Sequence, residues 1–162
     1  MPVKLSTTVK NITSLQNHTN ASLLLEFYEY MKEKGLSEKY QNNNLKVLIC
    51  FARSLDAKTE FYNINNKEQI LAFLDTRKKD SVADPDKIWI RTWNDYLQRV
   101  KYFFRWLSNY KLKGSNDYEI LPISEWITPP IVQIKAKKTK RISPYVETEL
   151  WDRDEILTII KY

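Results

Sequence analysis

The densest group of chemically active side chains is a basic run late in the sequence. Residues 135–141 carry five cations and no acidic residue: Lys135, Lys137, Lys138, Lys140 and Arg141. Cations in such a run can contact the phosphates of a nucleic acid, and the counterions released then favour binding without any reading of the base sequence. A solvated linker is the alternative interpretation, and the run by itself does not separate the two.

Two further segments carry side chains that pair with phosphates and base edges. The first follows Ser37 and contains Lys39, Tyr40 and four consecutive amides over residues 41–44, with Asn43 among them. Asparagine and glutamine can bind adenine through two hydrogen bonds, so this segment is a candidate for base contacts. The alternative is an ordinary polar helix face. Four consecutive amides are nevertheless unusual in a helix, because asparagine competes for backbone hydrogen bonds.

The second segment is the polar face of a long helix predicted over residues 89–111. It carries mostly cationic and amide side chains: Arg91, Thr92, Asn94, Asp95, Gln98, Arg99, Lys101 and Arg105. The major groove of DNA accepts a helix with such side chains, and a solvated face is again the alternative. The aromatic residues of the same helix recur with helical spacing, which indicates core positions rather than a platform for stacked bases.

The sequence offers little for catalysis or for metal binding. The single histidine, His18, and the single cysteine, Cys50, rule out a metal site built from clusters of these residues, and we expect no cofactor. His18 lies in a polar stretch, and we assign it no catalytic role. Cys50 lies in the apolar run 47–52, which predicts a buried side chain. The 2 glycines of the chain argue against a glycine-rich phosphate loop.

Four predicted helices must position these residues in an all-α bundle. The first begins near Asn20 or Ser22 and ends at Gly35, whereas the second begins with Ser37 as its N-cap. The third helix follows Asn65-Asn66.

The fourth predicted helix is the longest. Its apolar residues recur at steps of four and three, the period of one helix face: Trp93, Leu97, Val100, Phe104 and Leu107. It starts at Asp84-Pro85 or as late as Thr92, and over residues 89–111 it is about 34 Å long.

The segments outside this bundle have a different character. Residues 1–20 are polar and predict a flexible tail with at most a partial helix near Val9 to Leu15, and residues 21–111 form the helical domain. Prolines and cations mark residues 112–144 as an extended linker with a short strand possible over 131–134. Residues 145–162 contain a capping box that opens an apolar helix, so we expect them to begin a further domain.

The net charge of +6 and the sequence pI of about 9.2 agree with a nucleic-acid partner. The excess of cations is uneven, because it is largest in residues 81–111 and 135–141. The N-terminus lacks the apolar core of a signal peptide, and no apolar stretch has the length of a membrane helix. We therefore expect a cytoplasmic protein without membrane partners.

Several of these residues together resemble the N-terminal core-binding domain of tyrosine recombinases, the phage integrase family, which is a SAM-like helical bundle. The matches to its second helix are Leu36-Ser37, Tyr40, Leu48 and Phe51. The matches to its last helix, archaeal integrases included, are Trp93-Asn94, Tyr96-Leu97, Arg99 and the run Phe103-Phe104-Arg105-Trp106-Leu107. The matches to its junction with the catalytic domain are Pro129-Pro130, the basic run, Tyr145, Leu150-Trp151 and Asp154-Glu155. The resemblance covers about residues 21–162.

The resemblance implies a clamp around double-stranded DNA in which the second and fourth helices face the major groove and the linker follows the backbone. The implied DNA contacts are Ser37, Lys39, Tyr40, Asn43, Arg91, Thr92, Asn94 and Arg99, with the five cations of residues 135–141 on phosphates. The other implied partners are the family's catalytic domain, expected after residue 162, and further recombinase protomers. The family's catalytic arginine, lysine, His-x-x-Arg motif and nucleophilic tyrosine have no counterpart here, so we expect no strand cleavage by this chain alone.

Two other functions stay open at this point. The chain can be a helical protein-interaction module with an incidental basic linker, or a stand-alone DNA-binding regulator. The placement of cations and amides on the second and fourth helices separates the first alternative from DNA binding.

Overall fold

The structure is a computed structural model that describes residues 2–111 and 122–139. These residues form five α-helices, three short 3-10 turns and no strand, which confirms the predicted all-α class. The helices are α1 (Leu5–Thr13), α2 (His18–Glu33), α3 (Glu38–Ser54), α4 (Glu68–Asp75) and α5 (Trp89–Lys111). The 3-10 turns are Phe61–Asn63, Ile123–Glu125 and Pro130–Val132. No helix in these ranges is long and apolar enough to cross a bilayer.

Local hydrogen bonds fix the helix ends near α3. The Ser37 Oγ accepts from the backbone N–H of Tyr40 at 3.3 Å and caps α3 as predicted. Gly35 follows α2 with a φ of +69°, a conformation that favours glycine and ends the helix there. The α2 helix begins at His18, earlier than predicted, because the Asn17 side chain accepts from the backbone N–H of Asn20 at 3.0 Å.

The N-terminal segment forms a helix over Leu5–Thr13, where the sequence predicts a flexible tail with only a partial helix near Val9 to Leu15. Ile12 is fully buried, Thr8 is almost fully buried, and the Thr8 hydroxyl contacts the side chain of Asn42 on α3. A nine-residue helix is marginal by itself, so docking on the bundle stabilises it. The sequence predicts only part of α1, because packing against the bundle leaves no clear pattern in so short and polar a segment.

Aromatic rings from three parts of the chain form the centre of the core. Phe103 on α5 lies 5.3 Å from Phe27 on α2 and 4.9 Å from Phe61 in the first 3-10 turn, measured between ring centroids. Trp106 lies 5.1 Å from Phe27 and is fully buried. These tilted and edge contacts are favourable beyond their burial. The aromatic stripe of α5 is therefore core, as its spacing predicts.

The described part of the predicted linker is folded onto the bundle, which corrects the expectation of an extended chain. Trp126, Val132 and Ile134 are all buried, and a 3-10 turn replaces the strand expected over 131–134. The apolar side chains in this segment gain more from covering the bundle than from remaining in water. We call residues 122–139 the docked segment.

Cys50 is exposed, not buried, because the buried stripe of α3 leaves it on the opposite side of the helix. Lys140, Arg141 and the apolar helix expected within 145–162 lie outside the described residues.

Replacing Ile12 with alanine tests whether α1 belongs to the folded domain. The substitution should lower the free energy of unfolding by about 2–5 kcal/mol, because it leaves a cavity under a fully buried side chain. Urea denaturation followed by circular dichroism measures this. The exposed Lys10→Ala variant in the same helix should stay within about 0.5 kcal/mol of the parent. An equally small effect for Ile12→Ala would mean that α1 is not docked.

Candidate nucleic-acid interface

Two asparagines on α5 hold the docked segment by its backbone. The Asn94 side chain donates from Nδ2 to the carbonyl of Lys137 at 2.9 Å, and its Oδ1 accepts from the N–H of Lys137 at 2.8 Å. About four turns further along α5, Asn109 makes the same pair of bonds with Ile127, at 3.2 and 3.3 Å. The docked segment therefore runs antiparallel to α5, from the C-terminal half of the helix back to its start.

This arrangement assigns Asn94 a partner inside the chain. Sequence reasoning expects its amide at a DNA base, but in the structure both the donor and the acceptor of that amide serve the Lys137 backbone. An amide that bridges a backbone N–H and C=O replaces two hydrogen bonds to water, and each such bond contributes about 1 kcal/mol net. The Asn94 amide therefore holds the docked segment on α5 through the Lys137 backbone.

The cation of Lys137 is also engaged within the chain. Its Nζ lies 4.6 Å from the ring centroid of Trp93 and 5.9 Å from that of Trp89, both on the first turns of α5. Such cation–π contacts stabilise by about 0.5–2 kcal/mol. The neighbouring Lys135 and Lys138 are exposed to solvent. Lys135 and Lys138 are therefore the described cations of the basic run that lie exposed beside α5.

Arg99 is held in place by two contacts. Its Nε donates to the Asp95 Oδ2 at 2.9 Å, and its guanidinium carbon lies 5.9 Å from the ring centroid of Tyr40. Only 15% of the Arg99 side chain is exposed, whereas Asp95 is about half exposed. Arg99 thus links α5 to the start of α3 and presents a partly neutralised cation at the surface between them.

A groove of about 500 Å³ opens between α3, α5 and the docked segment. Its lining residues are Tyr40, Asn44, Asp95, Gln98, Arg99, Lys101, Tyr102, Arg105 and Thr128. We call this the α3–α5 groove. Two residues implied by the resemblance, Tyr40 and Arg99, meet in it, and four other polar side chains of α5 line it as well: Asp95, Gln98, Lys101 and Arg105. Sequence reasoning had proposed these residues on separate helices, and the tertiary fold places them in one concave surface.

The remaining candidates on α3 face a different surface. Lys39 and Asn43 line a second, wider groove together with Lys4 and Lys46. The Asn42 side chain donates to the carbonyl of Val3 and so holds the N-terminal segment beside α3. Lys4 and Lys46 were missed from sequence. Lys46 follows Lys39 by two helical turns and could have been found by that spacing, whereas Lys4 depends on the docking of α1.

Three of the predicted residues have simpler surroundings. Arg91 and Thr92 lie exposed on the first turn of α5. Ser37 is the N-cap of α3, and its hydroxyl accepts a hydrogen bond within the chain. The structure therefore divides the predicted contacts between the α3–α5 groove, the outer face of α3 and the first turns of α5 with the docked segment.

Burial raises the pKa of the Tyr102 hydroxyl above its usual value near 10, and the neighbouring Tyr30 and Tyr40 raise it further. Tyr102 therefore remains a neutral hydrogen-bonding group on the floor of the α3–α5 groove. The described ranges contain no cluster of three side chains suited to hold a metal ion.

Comparisons with known proteins leave the chain without a matching relative. No protein-family model matches the sequence, and neither the curated proteins nor the solved structures contain a significant match.

Removing the Asn94 amide should loosen the docked segment locally. In Asn94→Ala, amide hydrogen exchange at Lys137 should be about 2–10-fold faster, because the N–H loses its acceptor within the chain. Hydrogen exchange followed by NMR measures this residue by residue. Gln98→Ala, an exposed amide on the same helix, is the matched control and should leave the Lys137 amide unchanged. Equal exchange in the two variants would contradict the anchoring role of Asn94.

The raised pKa of Tyr102 predicts a loss of stability in alkaline solution. Below about pH 10 the folded and unfolded chains both keep the tyrosine proton. As the pH rises from 10 toward the raised value, the unfolded chain releases the proton first, so the free energy of unfolding falls. Urea denaturation at about pH 9 and pH 11 should show a smaller fall for Tyr102→Phe than for the parent. Parallel pH dependences would contradict the assignment.

Proposed function

We propose that this chain is a module that binds double-stranded DNA and belongs to a tyrosine recombinase or integrase. The observation that carries the DNA-binding proposal is the docked segment, which holds the exposed cations Lys135 and Lys138 at fixed positions beside α5. The recombinase assignment rests on the sequence resemblance alone. On this proposal the chain contributes grip on DNA at a recombination site and performs no strand cleavage itself.

Fixed cations bind a polyanion better than mobile ones. A lysine on a flexible strap loses conformational freedom when it binds a phosphate, whereas a docked backbone has already lost most of that freedom. Lys135 and Lys138 are separated by at most about 10 Å along the chain. Duplex DNA carries a phosphate every 3.4 Å or so along each strand, so both cations can reach the same stretch of backbone.

The outer face of α3 can supply a second set of contacts. It presents Lys39 and Asn43 beside Lys4 and Lys46, so that three cations border a half-buried amide. Lysines contribute affinity through phosphates, whereas an asparagine at a helix surface can bind a base edge. The proposal therefore assigns affinity to the lysines and sequence preference to Asn43.

One observation favours the alternative of a protein-interaction module. Ile123 and Ile127 in the docked segment are 47% and 65% exposed, which is unusual for side chains that flank a buried tryptophan. Apolar residues of this kind can contact another protein. The alternative predicts binding that depends on these isoleucines and not on salt, whereas a stand-alone DNA-binding regulator would use the same cations without a recombinase partner.

Replacing Lys135 and Lys138 with alanine tests the DNA contact. The double variant should weaken binding to every duplex sequence, and the slope of log affinity against log salt should become shallower by about 1.8, taking 0.9 for each phosphate contact. Fluorescence anisotropy with a labelled duplex, titrated at several salt concentrations, measures this slope.

The matched control removes the same charge elsewhere. Lys58→Ala with Lys67→Ala changes two exposed lysines on the loop after α3 and at the start of α4, and it should leave the slope unchanged. Equal changes in both double variants would show a non-specific charge effect. No duplex binding by the parent at low salt would overturn the proposed function.

A further inference from the structure

The α3–α5 groove combines two kinds of surface that one ligand can use together. With a volume of about 500 Å³ it falls within the range of small-molecule sites. One side is aromatic and is formed from α3, whereas the other is cationic and lies next to the docked segment. A ligand that fits both sides must carry a planar ring and a negative charge.

Tyr40 forms the aromatic side. It is 42% exposed although it is a large ring, and its centroid lies 6.2 Å from that of Tyr102 and 5.9 Å from the Arg99 guanidinium. These contacts hold the ring in position from within the protein. The exposed part of the ring is available to a planar group from solution, which is the arrangement that favours base stacking.

Lys101 and Arg105 form the cationic side. They share a stripe of α5 with Asn94, which contacts the docked segment, and Thr128 of that segment completes the wall. Arg99 is paired with Asp95, but neither Lys101 nor Arg105 has a carboxylate partner among the described residues. The Arg105 guanidinium donates to the Ile123 carbonyl at 3.4 Å and lies 5.9 Å from the Trp126 ring centroid, and these contacts leave its charge without an opposite charge. Their charge therefore attracts an anion into the groove.

The walls also contain polar atoms that lack protein partners. Asn44 is fully buried and its Nδ2 donates to the Tyr40 carbonyl, but within residues 2–111 and 122–139 its Oδ1 accepts from no donor. In the same ranges the buried Nε of Arg105 has no acceptor. Both residues line the groove, and unpaired buried groups of this kind destabilise a protein.

We propose that the α3–α5 groove binds one unpaired nucleotide, with the base stacked on Tyr40 and the phosphate between Lys101 and Arg105. The exposed amide of Gln98 lies in the same groove and can pair with the base edge. This inference rests on the proposed nucleic-acid binding and deepens it, because it gives the chain a single-stranded ligand in addition to duplex DNA. A duplex keeps its bases stacked, so it cannot place a base on Tyr40 without extruding it.

The test compares short single strands that are too small to form a duplex. A labelled tetradeoxyadenylate is titrated with the chain, next to the same strand without bases and next to inorganic phosphate as a competitor. The parent should bind the tetranucleotide about 10-fold more tightly than the abasic strand, because stacking contributes on that scale. Equal affinity for the two strands, or no binding to either, would overturn the proposal.

Variants then separate the ring from the charge. Tyr40→Ala should lose about 10-fold in affinity for the tetranucleotide and none for the abasic strand, whereas Tyr40→Phe should retain both. Lys101→Gln should lower the affinity for the tetranucleotide and for the abasic strand by the same factor. Tyr62→Ala, a partly exposed ring in the first 3-10 turn and outside both grooves, is the matched control and should change neither. An unchanged affinity of Tyr40→Ala for the tetranucleotide would contradict stacking. If that variant does not fold, the comparison of the tetranucleotide with the abasic strand, in the parent and in Tyr40→Phe, still tests the stacking.

A parallel titration with duplex DNA distinguishes the two proposals. Duplex binding that persists while the tetranucleotide fails to bind would overturn the nucleotide site and leave the proposed function standing. Loss of both would overturn the proposed function as well. Displacement of the tetranucleotide by phosphate at equal concentrations would show an anion site without base recognition and would also contradict the inference.

Discussion

The two asparagine bridges between α5 and the docked segment are the interaction on which the exposed surface of this protein depends. Asn94 and Asn109 each bind both the N–H and the C=O of one backbone residue, so together they fix the direction and the register of the segment. A slip by one residue would break all four bonds. Their net contribution is about 4 kcal/mol, comparable with a large part of the stability of a domain this size.

Three features follow from that register. Trp126 and Val132 are placed over the bundle, where they are buried. Lys137 is brought over Trp93, so one cation of the basic run becomes part of the fold. Thr128 becomes the third wall of the α3–α5 groove, which would otherwise be an open surface between two helices. The same bonds thus stabilise the domain, select which lysines face solvent and shape the proposed nucleotide site.

The long α5 helix serves the core and the surface at once. Its aromatic stripe packs against α2, α3 and the first 3-10 turn, while its polar stripe is divided between bonds within the chain and groups that face the groove. A polar side chain that is already paired, such as Arg99 with Asp95, adds little charge to a binding surface, because the opposite charge screens it. Lys101 and Arg105 have no carboxylate partner among the described residues, so they matter more to an approaching anion than the number of cations on the helix suggests.

Periodic and capping patterns in the sequence determined much of the bundle. The step of three and four along residues 93–107 predicts the buried face of α5, and Ser37 and Gly35 mark the boundary between α2 and α3, because these are local properties of the backbone. Tertiary structure decided the features that depend on contacts between distant parts of the chain. Packing made α1 a helix, long-range hydrogen bonds folded the linker onto α5, and the partner of Asn94 proved to be 43 residues away in the chain. An amide that faces solvent and an amide that binds the backbone look the same in a sequence, because the difference depends on where the docked segment lies in space.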